Sequence, residues 1–548
     1  MGLLNILDIA KSSLLASQAG IQTTAHNIAN VDTPGYTRQR VGTNAGDPVI
    51  IGGYPIGTGV FINGIERSYD RFLGLQIMDA QEKMGRQSAL RDTLGRLEGI
   101  FNDSSGLGLG DTLDNLFNAI NDVANDPSSY AARSALLSTA STLADRITSL
   151  DSRMRGEIER IEGEVKGEID AINSLTAGIA GLNVDIQRME SGGNTANDLR
   201  DERDRLLNEL AERIDVTMIE NDSGQVTVLT AGGNPLVADS ITTALSVKPD
   251  TDNGGYNDIY FGNKKITTHI STGSIKGLIE ARDTHFLPTL DKLDTLSASL
   301  TKEFNAVHLQ GYGLDGSTGL NLFTPLSPAV AARGSNTGGA AASASIQSLS
   351  ALTLDEYEIR FTSSSTYNIV NTTDGTTVSS GNSYSSGGNI DFDGIRVVIS
   401  DVTGTPQSGD VFSTKTAEGA ARVFGVALTD PNKFAAATSN LDLPGGNSNV
   451  LSMVNLRDGK VLSNGNASFS TFYSSLVTDV AVASRVAVVN SDAQAVVMRE
   501  LENYRESVSG VSIDEEGLNL IRYQQSYEAA AKVINIVDEL FDTLIALR

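Results

Sequence analysis

The C-terminal stretch 520-LIRYQQSYEAAAKVINIVDELFDTL-544 decides how this chain folds. Leu520, Tyr523, Tyr527, Ala530, Ile534, Val537, Phe541 and Leu544 recur in it at alternating three- and four-residue steps. That spacing keeps one apolar stripe on one side of a helix, as in a coiled coil. The N-terminal stretch 3-LLNILDIAKSSLLASQAGIQTTAHNI-28 does the same through Leu3, Leu7, Ala10, Leu14, Ser17, Ile21, Thr24 and Ile28. Chain ends are ordinarily frayed and polar. Two complementary seams at opposite ends predict terminal helices that pair with each other, in a protein built to join something.

The flanks of the seams carry their own signals. Ser512-Ile513-Asp514-Glu515 has the pattern of a capping box, with Ser512 capping the amide of Glu515 and Glu515 reaching back. The first helix pattern stops at Asn30, and Asp32-Thr33-Pro34-Gly35-Tyr36 follows. Pro34 presets φ for one corner and Gly35 supplies positive φ for the next, which predicts a type II turn. Residues 42–64 are rich in Gly and Pro with short β-like runs, and read as an extended or hairpin-like segment.

Inward from the ends the period changes twice. From Leu143 to Met189 apolar residues keep helical steps beside a charged face, predicting a rod roughly 70 Å long. A shorter helix falls over Asn197–Arg213. From Val216 the period becomes two, with strands at Gln225–Leu229 and Asp258–Phe261. Helix returns over Ser274–Gln310. Further strands fall at Tyr357–Phe361, Tyr367–Val370 and Ile395–Ile399, and Asp374-Gly375 and Asp393-Gly394 mark tight turns. Helix resumes near Asn449, with a break at Ser509-Gly510.

The expected fold is therefore multidomain α+β and nested. Residues 1–64 and 510–548 form a terminal coiled-coil domain with its extended segment. Residues 65–215, 272–324 and 440–509 form a long-helix bundle. Residues 216–271 form a small β-rich domain, and 325–439 a β-rich outer domain. A length of 548 residues accommodates about three or four domains.

Composition narrows the function classes. The net charge of −26 opposes binding to nucleic acid or to an anionic membrane. No stretch approaches the apolar length that spans a bilayer, and the N-terminus lacks the basic region of a secretory signal peptide. With no Cys, disulfides, thiolate metal sites and Cys nucleophiles are excluded. His26, His269, His285 and His308 are scattered, with no metal-binding spacing. Asp391-Phe392-Asp393-Gly394 lacks the remaining ligands of a calcium loop and reads as a turn. No P-loop, dinucleotide or nucleophile-elbow pattern is present. The reading is a non-enzyme without cofactor or metal.

Thr24-Ala25-His26-Asn27-Ile28-Ala29-Asn30-Val31-Asp32-Thr33-Pro34-Gly35-Tyr36 resembles the N-terminal signature of the bacterial flagellar axial family, the rod, hook and hook-associated proteins. Thr37-Arg38-Gln39, Ser509–Glu516, Asn519–Tyr527 and Asn197–Asp204 point within it to the hook-associated members. Asp32 stands where relatives often carry Asn. The alternatives are a hook or distal-rod protein, against which the long helical stretch 128–213 argues, and a surface enzyme or adhesin carried in the β-rich insert.

The resemblance implies an extracellular structural protein at the hook–filament junction, required for filament assembly and motility. It implies an inner coiled-coil domain lining the axial channel, helical self-assembly, and contacts with the hook protein and with hook-associated protein 3. It also implies type III export without a cleaved signal peptide, with a flagellar export chaperone on the C-terminal helix. The residues this assigns to interaction are Leu3, Leu7, Leu14, Ile21, Ile28, Pro34, Gly35 and Tyr36 at one end. At the other they are Leu520, Tyr523, Tyr527, Ile534, Val537, Phe541 and Leu544.

Overall fold

The computed structural model describes residues 2–51, 53–102, 108–230 and 232–546. Helix α1 (Gly2–Ala29) ends in the anticipated turn. The Tyr36 amide donates to the Thr33 carbonyl at 3.1 Å, and Gly35 takes φ +83°, the positive value that a type II turn demands of its second corner. Strand β1 (Gln39–Ala45) then leaves the turn. A small hairpin of β2 (Val49–Ile51) and β3 (Tyr54–Ile56) follows, and β4 (Val60–Arg67) returns against β1 from Gln39↔Arg67 to Ala45↔Val60.

The helical body begins with α2 (Arg71–Phe101), whose first amides, Phe72 and Leu73, donate to the Asp70 carboxylate. Then come α3 (Leu109–Asn125), α4 (Tyr130–Glu190) and α5 (Asn197–Arg213). Helix α4 spans 61 residues, about 90 Å. It outruns the sequence expectation because its buried stripe starts early, at Arg133, Leu136 and Ala140, behind a Ser129 cap. Seven short strands follow. Those of the first sheet are β5 (Val216–Glu220), β6 (Val226–Thr230), β7 (Asn234–Ala238) and β8 (Ile241–Thr242). The second sheet holds β9 (Leu245–Pro249), β10 (Asn257–Phe261) and β11 (Lys264–Lys265). Helix α6 (Gly273–Glu280) runs through a π-turn at Ala281–Phe286 into α7 (Leu287–His308).

The outer domain packs two sheets. One has the order β12 (Ala329–Ala332), β19 (Val411–Lys415), β14 (Glu356–Ser363), β15 (Thr366–Asn371), β16 (Thr377–Ser383). The other is β13 (Ala340–Ile346), β18 (Ile395–Asp401), β17 (Asn389–Phe392). Tyr357, Ile359, Phe361 and Phe412 from the first meet Phe392, Ile395, Val397 and Ile399 from the second in a core of its own. The chain returns to the body through α8 (Ser448–Asn455) and α9 (Phe469–Ser509), then ends in α10 (Ile513–Ala546).

Three expectations change. Residues 216–271 form no separate core: Val226, Val228, Val237, Leu245 and Ile259 join Leu143, Ile158, Ile172 and the other buried residues of α4 in one continuous cluster. Strands this short bury too little area to stand alone, so they lean on the long helix. The outer β domain also ends earlier than residue 439. Ala421, Phe424, Leu428, Phe434 and Ala436 lie in the core of the helical body, with the Phe424 ring tilted against Phe323 at 4.8 Å between centroids. Finally, one 18-residue window within Phe469–Ala546 reaches a mean hydropathy of 1.4, enough in length and composition for a membrane span. In the fold Asp479 pairs with Lys292 of α7 at 2.7 Å.

Candidate assembly interface

The two chain ends meet as an antiparallel pair. Asn27, near the end of α1, donates to Glu516, near the start of α10, at 3.1 Å. Gly20 lies under the ring of Tyr523, where an added Cβ would stand 2.6 Å from ring carbon Cδ1. Ile6, Ile9 and Ala10 face Ser526, Ala530 and Val533 across a shared groove. The seam is apolar at one end and polar at the other: Ala10, Ala530 and Val537 are buried, but so are Ser17, Thr23, Thr24 and Asn27.

Not every predicted seam residue sits in the seam. Val537 is buried, and Leu3, Leu7, Leu14, Ile21, Ile28, Leu520, Tyr523, Ile534 and Phe541 are half-buried along the pair. Tyr527 is 38 % and Leu544 54 % exposed, so these two depart from the intramolecular stripe. A two-helix pair can cover only one narrow face of each helix. The heptad reading of α10 is wider than that face. Leu4, Leu15, Ile521, Ile536 and Leu540 lie exposed outside the seam as well. Pro34 is exposed, and Gly35 and Tyr36 are half-buried at the turn.

A polar joint fixes this pair to the body. The Asn27 carboxamide oxygen accepts from the Tyr36 hydroxyl at 2.8 Å and from the Gln39 amide at 3.0 Å. Its nitrogen donates to the Gln39 carbonyl at 2.8 Å as well as to Glu516. Arg38 donates through Nε to Glu516 and through a terminal nitrogen to Glu515, each at 2.9 Å. Its own amide donates to the Ser509 carbonyl, tying β1 to the end of α9. The capping box is therefore only half made: the Glu515 amide lies 3.5 Å from the Ser512 hydroxyl, but the Glu515 carboxylate is drawn away by Arg38. On the opposite side, Arg67 of β4 bridges Asp201 at 2.6 Å and Asp204 at 2.9 Å on α5. Asp201 also accepts the Thr37 amide, and Asp198 accepts from Gln39.

The electrostatics fit a closed joint. Burial raises Asp201 and Asp204 above the usual carboxylate range, against the pull of Arg67. Burial works against the charge of Arg67, but the two aspartates hold its pKa above the ordinary value. Tyr36 is raised by burial and by Asp198, Asp201 and Glu516, so it stays a donor. Such groups are rigidifying only while all partners are present. Arg38, Glu516, Arg67 and Asp201 escaped the sequence reading because no period marks them. Arg38 and Glu516 lie inside the terminal motifs and Asp201 inside Asn197–Asp204, while Arg67 lies in none of them.

Among the described residues no group of three or more His, Asp or Glu side chains is arranged to hold a metal ion. His26 contacts Asp198 at 3.4 Å and packs edge-on to Tyr36, so it serves the joint. His308 is buried, with Nδ1 2.6 Å from the Leu320 carbonyl and Nε2 accepting the Ala435 amide at 3.0 Å.

Four stretches match described protein families. Residues 94–323 match the flagellar hook-associated protein FlgK helical domain, and 331–416 the D2-like domain of flagellar hook-associated protein 1. Residues 7–37 match the flagella basal body rod protein family, and 505–547 the C-terminal family of the flagellar basal body rod FlgEFG proteins. Flagellar hook-associated protein 1 of Escherichia coli K12 is 29 % identical, covering 99 % of this chain and 100 % of the relative. The protein of that name from Bacillus subtilis 168 is 24 % identical over 98 % and 97 %. In fold, the chain resembles the flagellar hook junction protein FlgK from Burkholderia pseudomallei, with TM-score 0.68 and 19 % identity over 79 % of this chain and 100 % of that one.

Proposed function

We infer the role of this chain from its family: it belongs to the flagellar hook-associated protein 1 family and is a structural component of the bacterial flagellum at the hook–filament junction. The chain works as a mechanical adaptor rather than as an enzyme. The observation that carries this reading is the antiparallel terminal pair, bound to the body at a polar joint yet leaving apolar faces uncovered.

In our reading, residues 1–64 and 510–548 form the innermost layer, the helical body surrounds it and the β domain points outward. The exposed faces, including Tyr527 and Leu544, meet neighbouring copies, while Leu3, Leu7, Leu14, Ile21, Ile28, Leu520, Tyr523, Ile534, Val537 and Phe541 hold the pair. Pro34, Gly35 and Tyr36 set its angle to the body. Each Leu- or Phe-sized side chain covered on assembly contributes about 1.5–3 kcal/mol, so several together offset the ordering of the helices. A head-to-tail contact that does not close on itself builds a helical array. Its lower neighbours are the hook protein and its upper neighbours hook-associated protein 3. Before export through the type III apparatus, a chaperone covers the C-terminal helix.

The test is a strain lacking the gene. Hooks without filaments, with flagellin in the medium, are expected. Intact filaments on the mutant would overturn the assignment. Circular dichroism and limited proteolysis of the monomer test the ordering step, which fails if both termini are fully protected in isolation.

A further inference from the structure

Beside the joint, a pocket of about 240 Å³ opens between the start of α2, α5, the end of α9 and the Gly35–Thr37 turn. Its wall carries Leu73, Ile77, Met78, Met218 and Met498, three of the eight methionines in the chain. Thioether side chains repack around an incoming group, so such a wall suits an adaptable contact. Six carboxylates and two arginines also line it; four of the carboxylates are engaged by Arg67, Arg205, Arg505 or the cap of α2, and the other two, Glu212 and Glu502, are exposed. An occupant of the pocket should thus be large and apolar, and should bring a hydrogen-bond donor.

The small hairpin is built in the complementary way. Val49 pairs with Ile56 across β2 and β3, and Tyr54 lies two residues before Ile56, so the three share one face. All are exposed, and Tyr54, at 75 %, is the most exposed tyrosine among the described residues. A buried tyrosine needs a partner for its hydroxyl, and the Glu212 or Glu502 carboxylate would accept it. The hairpin cannot serve its own pocket. Its base is pinned where the Val60 amide donates to Ser12 and Gly59 packs on Ile9. The β1–β4 ribbon holds the tip roughly 20 Å from the Gln39–Arg67 end that adjoins the pocket.

We propose that Tyr54 and its hairpin face insert into the Met-lined pocket of a second copy of this chain. Hairpin and pocket are different surfaces, so the contact is heterologous and propagates from copy to copy. It rests on the assembly reading above and adds a specific knob and hole to it.

The chain lacks Cys, so engineered thiols report without background. A photoreactive benzophenone side chain replacing Tyr54 is expressed in a strain lacking the native gene, and sheared flagella are irradiated. Cross-links to peptides around Leu73–Met78, Met218 or Met498 are expected, and the double variant Tyr54→Cys/Glu502→Cys should give bis-maleimide-linked dimers that neither single variant gives. Tyr54→Asp should lower incorporation roughly tenfold, on the scale of losing one buried hot-spot side chain, with Tyr54→Phe between it and the parent. Incorporated chains that cross-link elsewhere, or give no dimers, would overturn the proposal while leaving the assembly reading intact. Absence of the parent chain from sheared flagella would instead remove the assembly reading.

Discussion

Replacing Glu516 by Ala tests whether the polar joint positions the terminal helices. The Glu516 carboxylate has 3 % of its side chain exposed and accepts from Arg38 at 2.9 Å and from Asn27 at 3.1 Å. Removing one member of a buried charged pair costs about 3–5 kcal/mol, because the other is left without a partner. Here the loss is smaller. Arg38 is 29 % exposed and keeps Glu515 at 2.9 Å, so about 2–3 kcal/mol is expected. At 1.4 kcal/mol per tenfold, the ratio of docked to undocked α10 should fall roughly 30- to 150-fold. Hydrogen exchange read by mass spectrometry over α10 measures that ratio directly. Glu515→Ala is the control. Glu515 is 62 % exposed, and a surface ion pair is worth at most about 1 kcal/mol. Equal losses of protection in the two variants, or none in Glu516→Ala, would refute the claim that burial makes Glu516 the anchor.

Other perturbations probe other parts of the argument. Gly20→Ala places a methyl group against the Tyr523 ring and should cost about 1–3 kcal/mol of overpacking. The melting of the terminal helices would report it, and Tyr523→Ala in the same chain should recover part of the loss. Glu82 accepts the Val216 amide and the Thr272 hydroxyl, and burial raises its pKa from 4.5 to about 7. The folded state therefore holds a proton that the unfolded state releases, so this contribution is complete below about pH 4.5 and is lost as pH rises through 7. Glu82→Gln should be more stable than the parent at pH 8 and equal to it near pH 4, by denaturant titration; a constant difference would contradict the assignment. Phe541→Asp puts a charge on the α1–α10 seam and should abolish incorporation, and normal swimming with that variant would remove Phe541 from the seam.

How much was legible in advance depended on the kind of signal. The long helix α4, the strands β14, β15 and β18 of the outer domain and the Pro34-Gly35 turn are local events, governed by side-chain period and by backbone sterics, and each fell where its pattern lay, whereas β12, β13, β16, β17 and β19 carry too few apolar residues in alternation to announce themselves. The separation between cores was not local. Val226 and Ile259 alternate like any half-buried strand, and nothing in that alternation says their buried face meets α4 rather than a sheet of their own. The same holds for 417–439, where irregular chain carries Phe424 and Phe434 into the helical core without any period. The Arg67 bridge to α5 joins residues 134 or more positions apart, beyond any motif.

By itself, then, the sequence determined that both ends are helical, that each bears an apolar stripe, and which family those ends resemble. A stripe defines a direction on one helix but not the partner, the sense or the width of the contact. Only the tertiary structure decided that the helices run antiparallel, that Asn27 and Glu516 bury polar groups at one end of the seam, and that Tyr527 and Leu544 stay outside it. The physical reason is that burial is a property of two surfaces, and one chain segment specifies only one of them.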